Sequence, residues 1–132
     1  MLHTETVLES TLDLLRRLQS LQDLAGLRLV GGTALAAIQD IAAMKLSAAA
    51  NRGRKKDFID IAFLIDIIPL SEMFQLYQRK FSVSEFSFAL RGLTYFDDAE
   101  DDPMPEMLIP ITWEAVKHKI ESTVRGFVRD LR

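Results

Sequence analysis

Apolar residues recur at steps of three and four along most of this chain, and that spacing marks one face of an α-helix. The first such segment is 4–24, in which leucines and valine alternate with charged and amide side chains. The same spacing predicts further helices over 34–50, 56–68, 71–79, 85–93 and 113–131. The chain is therefore predicted to be mainly α-helical.

Residues that begin or end helices lie between these segments. Pro69 is expected to stop the helix that precedes it, because the residue before a proline is disfavoured in helical geometry. Side-chain oxygens that can cap a helix N-terminus are present at Thr33, Ser84 and Thr112. Residues 97–106, DDAEDDPMPE, hold six acids and two prolines, so we expect an ordered or semi-ordered loop there.

One short apolar run, 27–30, is a strand candidate without a visible partner. An isolated strand leaves its backbone donors and acceptors unpaired, so it is not stable in water. Three explanations stay open: it pairs between subunits, it is not a strand, or the rest of a sheet is missing. We expect a single domain over 1–132, with an N-terminal helix and glycine motif (1–37) and a helical region (38–132).

The composition excludes several classes of protein. The 132 residues carry a formal charge of −3, which argues against a surface built wholly for nucleic acid. Without cysteine there is no disulfide scaffold, thiolate zinc site or cysteine nucleophile, and two histidines make a histidine-rich metal site improbable. The longest apolar stretch, 59–70, is interrupted by Asp60 and Asp66. We therefore expect no membrane span and, without an export-signal layout, a cytoplasmic location.

Gly31, Gly32 and Thr33 lie between the predicted strand and the next predicted helix. Glycines let a backbone approach a ligand closely, and a helix N-terminus offers free N–H groups, so this turn can hold a phosphate. The simpler interpretation is a tight turn followed by an N-cap. Both interpretations stay open.

Lys45 lies on an otherwise apolar helix, between Met44 and Leu46. Its ammonium either reaches the surface along its aliphatic stem or pairs with a buried carboxylate. Asp60, flanked by isoleucines, is a candidate partner, and Asp57 lies on the same helix face one turn earlier. A structural Lys45–Asp60 ion pair is thus an alternative to a chemical role.

Four cations occupy five consecutive positions: Arg52, Arg54, Lys55 and Lys56. They are suited to hold a triphosphate or an RNA backbone. The alternative is a solvated linker whose charge favours the preceding helix C-terminus. The acids of 97–106 lack the ordered ligand spacing of a calcium loop, so we expect a solvated loop or a contact with a basic partner.

Residues 29–36, LVGGTALA, resemble the opening motif of the AbiEii/AbiGii toxin family of the nucleotidyltransferase superfamily. Residues 40–65 resemble the second block of that family, and 93–108 with 113–117 resemble its C-terminal region. The resemblance covers most of 27–120. It implies a nucleotidyltransferase-like α+β fold, of which this chain is a remnant with at most one or two short strands. It also implies Mg²⁺-dependent transfer from a nucleoside triphosphate (NTP) to an RNA or protein acceptor, with an antitoxin as partner.

The resemblance further implies roles for individual residues. Lys45 matches a family lysine that contacts nucleotide phosphates, and Asp60 matches a later family aspartate, so both are the candidate catalytic residues. The candidate nucleotide-binding positions are Gly31, Gly32, Thr33, Lys45, Arg52 and Lys56. No metal ligand is assigned.

The chain departs from the family pattern between Gly32 and Lys45. The family carries an Asp-x-Asp pair there on a strand, and alternate strand residues bring both carboxylates to one Mg²⁺ ion. Here the glycine motif runs directly into the second block, and no Asp-x-Asp or Asp-x-Glu lies in the interval. This is the pattern of an internal deletion of the middle of the sheet, so metal-dependent transfer is expected to be severely impaired.

Three hypotheses follow. The first is an AbiEii-like toxin enzyme, with Mg²⁺ and NTP implied by the resemblance alone. The second, favoured by the missing metal pair, is a non-catalytic module that binds nucleotide phosphates or an antitoxin-like partner. The third is a helical homo-oligomer in which 34–50 lies in a subunit interface.

Overall fold

The structure is a computed structural model that describes residues 31–105 and 111–131. Its elements are α1 (Gly31–Asn51), α2 (Lys55–Leu64), α3 (Leu70–Phe81), α4 (Ser87–Leu93), a 3₁₀ turn (Asp97–Ala99) and α5 (Trp113–Asp130). The described residues contain no strand, which confirms the mainly helical prediction. The predicted helix over 4–24 and strand over 27–30 lie outside them. Within the same ranges, no helix is both long and apolar enough to cross a membrane.

The long helix α1 lies at the centre of the bundle and packs against α2, α3 and α4. Its buried side is formed by apolar residues spaced by three or four, namely Ile38, Ala42, Leu46 and Ala49. Helix α5 closes the bundle against the other three helices. The apolar side of α1 is therefore covered within the chain, and the described residues do not support the expectation that this helix forms a subunit interface.

Two helix starts differ from the sequence predictions. Where the described residues start, α1 already includes Gly31, Gly32 and Thr33, so Thr33 lies inside the helix and is not its N-cap. Glycine adopts helical dihedral angles at a cost of about 1 kcal/mol, and without a proline the alanine-rich helix extends back through it. Helix α4 begins at Ser87 after Phe86, and the Ser84 carbonyl instead accepts a hydrogen bond from the Gln78 side chain.

At the other helix boundaries the outcome is mixed. Thr112 caps α5 as predicted, because its hydroxyl accepts a hydrogen bond from the Ala115 N–H at 3.1 Å. Helix α2 ends at Leu64, earlier than predicted, since the chain already turns over the residues before Pro69. The sequence therefore correctly predicts that this helix ends before Pro69, but it places the end about one turn too far along the chain.

Helix α2 is buried on nearly all sides, which decides the character of the site that it carries. Eight of its ten residues are buried, and these include Asp57 and Asp60. Between the two carboxylates, Phe58 packs edge-on against Phe96 at 5.0 Å and Trp113 at 6.1 Å between ring centroids. These aromatic contacts anchor α2 to α5 and to the loop before it.

Most acids of the acidic loop are exposed, as the sequence predicts, but Glu100 and Asp102 also tie the loop to α2 and α5. Both oxygens of Glu100 are engaged, with the Trp113 indole N–H at 2.9 Å and the Lys117 ammonium at 2.8 Å. These donors lower the pKa of Glu100 below its ordinary value. Asp102 accepts from the Lys55 backbone N–H at 2.9 Å, where α2 begins. Contacts between residues this far apart in the chain cannot be predicted from local sequence patterns.

Candidate functional site

The structure brings together the two candidate catalytic residues. Lys45 on α1 and Asp60 on α2 form an ion pair, with 2.8 Å between Nζ and Oδ2. The side chain of Asp60 is completely buried, whereas that of Lys45 is 19% exposed. Lys45 is therefore the partly exposed member of the pair, and the carboxylate lies inside the protein.

Asp60 is poorly compensated for a buried carboxylate. Neither of its oxygens accepts a well-directed hydrogen bond from the described residues, so its contact with Lys45 is mainly electrostatic. Burial raises the pKa of Asp60 to about 6, the Lys45 ammonium opposes that rise, and the charge of Asp57 adds to it. Ionised Asp60 thus depends on Lys45 for its stabilisation.

A second buried carboxylate, Asp57, links Lys45 to a second cation. Asp57 accepts hydrogen bonds from Nε and Nη2 of Arg52, both at 3.0 Å. Its Oδ1 atom also lies 3.4 Å from Nζ of Lys45. The sequence assignment of site residues omits Asp57, although its spacing from Asp60 and the arginine five residues earlier are the signals that point to it.

A left-handed turn at Gly53 produces this arrangement. Gly53 has φ +57°, and its N–H donates to the Ala48 carbonyl at 3.3 Å, which ends α1. The chain then reverses, and α2 packs against α1. Arg52 precedes the turn and Asp57 lies in the first turn of α2, so their side chains meet across it. A carboxylate in that first turn is also favoured by the helix dipole.

The basic run divides between two neighbourhoods. Arg52 pairs with Asp57, and the half-buried Lys56 is close enough to lower the pKa of Asp60. Lys55 is buried, with its ammonium 4.9 Å from the ring centroid of Trp113. Arg54 pairs with Asp102 in the acidic loop at 3.4 Å. The solvated-linker interpretation is therefore wrong for Lys55, because its side chain is buried beside Trp113.

The glycine motif is not near the ion pair. Gly31, Gly32 and Thr33 are the first described residues of α1, at least twelve residues before Lys45 on the same helix. At 1.5 Å per residue, the separation along the helix axis is about 18 Å. In the described structure the predicted nucleotide-binding residues thus fall into two separate groups.

The residues of the site do not fit a Mg²⁺ ion. Mg²⁺ requires a near-octahedral set of oxygen ligands, usually with several waters. Both oxygens of Asp57 contact cationic side chains, and Asp60 faces Lys45. Across 31–105 and 111–131, no three His, Asp or Glu side chains come together as metal ligands. The arrangement is instead suited to an anion, which can approach the partly exposed Lys45 and the exposed Arg52.

Comparison with known proteins agrees with the resemblance seen in the sequence. Residues 36–126 match the family described as nucleotidyl transferase AbiEii toxin, type IV TA system. The glycine motif lies before the matched region. The chain is also 34% identical over 101 residues to the uncharacterized protein aq_aa25 of Aquifex aeolicus (strain VF5).

That alignment covers 75% of this chain and 48% of the relative, so the chain spans about half the length of the curated relative that it matches. No solved structure matches the chain. The family match includes the Lys45–Asp60 pair, both carboxylates of α2 and most of α5. The chain belongs to the AbiEii nucleotidyltransferase family of type IV toxin–antitoxin systems.

Proposed function

We propose that this chain binds the phosphates of a nucleoside triphosphate at Lys45, and that nucleotidyl transfer by the chain as written is impaired. The observation that carries the proposal is the contact of the Lys45 ammonium with both Asp57 and Asp60 on a side chain that is 19% exposed. A cation that is already held in place loses little side-chain entropy when a phosphate binds to it.

Two neighbouring cations support the same ligand. Arg52 is about half exposed and uses two of its nitrogens on Asp57, which leaves its third nitrogen free to donate outward. The partly exposed Lys56 adds a third positive charge near Asp60. Asp57 and Asp60 offset two of these three positive charges, so the site keeps one net positive charge in a chain whose net charge is −3, and that local excess favours an anionic ligand.

Impaired transfer follows from the carboxylates. The family's metal-binding Asp-x-Asp pair is missing between Gly32 and Lys45. Asp57 and Asp60 do not replace it, because each already faces a cation. Without Mg²⁺ to bridge phosphate oxygens, the charge that develops during phosphoryl transfer is poorly stabilised. Binding without efficient transfer is the function that this geometry supports best.

A titration of ATP into the full chain tests phosphate binding. Lys45→Met keeps the length of the side chain and removes its charge, so we expect affinity to fall at least about tenfold. Lys119→Met is the surface control, because Lys119 is also a partly exposed lysine, paired with the exposed Asp66. Lys45→Met combined with Asp60→Asn should lose the same affinity without leaving a buried charge unpaired. Equal losses in Lys45→Met and Lys119→Met, or no binding by the wild type, would contradict the proposal.

Membership of the family favours a second candidate, an AbiEii-type enzyme that transfers a nucleotide from NTP to an RNA or protein acceptor. Incubation with labelled NTP, Mg²⁺ and cellular RNA or protein distinguishes the two. Incorporation that is lost in Lys45→Met and Asp60→Asn would establish the enzyme and overturn impairment. The family implies an antitoxin partner. We also propose that the protein is located in the cytoplasm.

A further inference from the structure

A groove on the surface between α1 and α3 shares Arg52 with the Lys45 site. Its volume is about 470 Å³, and its lining includes Met44, Ser47, Ala48, Arg52, Lys80 and Phe81. Met44 and Phe81 are 50% and 41% exposed, which is high for large apolar side chains. We propose that this groove holds the base of the nucleotide whose phosphates lie at Lys45, an inference that rests on the proposed function.

The shape and chemistry of the groove suit a flat ring. The half-exposed ring of Phe81 lies 5.5 Å from that of Tyr77 between centroids and 6.0 Å from the Lys80 ammonium, and bases stack on aromatic side chains with little dependence on which base is present. Met44 supplies a flexible, polarizable side chain that adapts to the surface of a ring. Ser47 and Ala48 are small residues, so they leave room for a planar group to lie on α1.

The charge of the lining selects an anionic ligand. Arg52 and Lys80 both line the groove, and none of the described residues that line it is acidic. Lys80 pairs with Asp40 at 2.6 Å, but both side chains are well exposed. A surface pair of this kind contributes little, so its ammonium can turn to a phosphate at small cost.

Arg52 connects the groove to the phosphate site. Its guanidinium pairs with Asp57, which also contacts Lys45, and its side chain forms part of the groove wall. Met44 immediately precedes Lys45 on α1. In the proposed arrangement the phosphates lie at Lys45 and Arg52 and the base lies against Phe81, so Arg52 is the residue that both parts of the nucleotide share.

Parallel titrations of inorganic tripolyphosphate and ATP into the full chain test this inference. Stacking in the groove predicts that ATP binds about tenfold more tightly than tripolyphosphate. Phe81→Leu keeps an apolar side chain but removes the ring, so the variant should lose that difference while its tripolyphosphate affinity is unchanged. Phe88→Leu is the control, because Phe88 is 54% exposed on α4 and does not line the groove.

The outcomes separate the two proposals. If tripolyphosphate and ATP both fail to bind, the proposed function is wrong and the inference falls with it. If both bind equally, or if Phe81→Leu and Phe88→Leu behave alike, phosphate binding stands and the base site is wrong. Tighter binding of a single-stranded oligonucleotide without a triphosphate, lost in Phe81→Leu, would assign the groove to a nucleic-acid strand and overturn the inference.

Discussion

Arg52 donates two hydrogen bonds to the buried carboxylate of Asp57, from Nε and Nη2, and both measure 3.0 Å. The pair spans the turn between α1 and α2 and raises the pKa of the arginine above its ordinary value. Because Asp57 also contacts Lys45, one carboxylate holds both cations of the candidate site. Several properties of the protein are expected to depend on this junction.

Replacement of Asp57 by asparagine should destabilise the protein. The amide keeps the size of the carboxylate but loses its charge, so a buried, charge-assisted bidentate interaction is lost. We expect the free energy of unfolding to fall by about 1–3 kcal/mol, as measured by urea denaturation. Asp66→Asn removes an exposed ion pair with Lys119 and should change stability by less than about 0.5 kcal/mol. Similar effects of the two substitutions would show that the Asp57 pair adds no special stability.

Asp60 should make folding stability depend on pH. Its pKa in the folded protein is about 6, above the ordinary value of 3.8, so the native state binds its proton more tightly than the unfolded chain. This contribution is fully present below the unfolded pKa and is lost as pH rises through about 6. Relative to Asp60→Asn, the wild type should lose about 2 kcal/mol of stability between about pH 4 and pH 7.

Denaturant unfolding of both proteins at several pH values measures that difference. The asparagine variant retains every other titrating group, so the contributions of groups distant from Asp60 cancel in the comparison. A difference that is constant across the range would show that Asp60 titrates normally.

Two glycines should respond oppositely to alanine. A Cβ at Gly92 on α4 would lie 2.7 Å from Cα of Ala50, so α1 and α4 would have to separate. We expect Gly92→Ala to cost about 1–3 kcal/mol. Gly126 on α5 has open space, with the nearest atom at 3.9 Å, so its replacement by alanine should add about 0.5–1 kcal/mol. Thermal unfolding of the two variants checks the signs, and a stabilising Gly92→Ala would be incompatible with this helix contact.

Two residues with positive φ provide another test. Gly53 has φ +57° and no close neighbour, so Gly53→Ala is strained by its backbone alone, by about 1–2 kcal/mol. Ser82 has φ 55° at the end of α3, where glycine relieves the same strain. We expect Ser82→Gly to gain up to about 1 kcal/mol. Calorimetric melting of both variants measures the change in stability. If both substitutions stabilise or both destabilise the protein, the strain inferred from the positive φ angles is contradicted.

Local patterns predict most of the helices and part of the site. The apolar spacing predicts all five described helices within a few residues, and the Thr112 side chain caps α5 as expected. The isoleucines around Asp60 indicate a buried carboxylate, and its contact with Lys45 is the one that this burial requires. The start of α4 is less predictable, because Ser84 is a good capping residue that lies outside the helix.

Helix periodicity and family membership can thus be read from the order of residues, because a turn of helix and a family motif are both local. The ion-pair partner of each charged residue cannot be read from the order of residues. Arg52 meets Asp57 because Gly53 reverses the chain, and Glu100 meets Trp113 and Lys117 because the acidic loop folds onto α5. Likewise, the groove beside Lys45 exists because α1 and α3 pack together. Packing between helices distant in sequence decides which charges become buried, and burial decides how strongly each charge needs its partner.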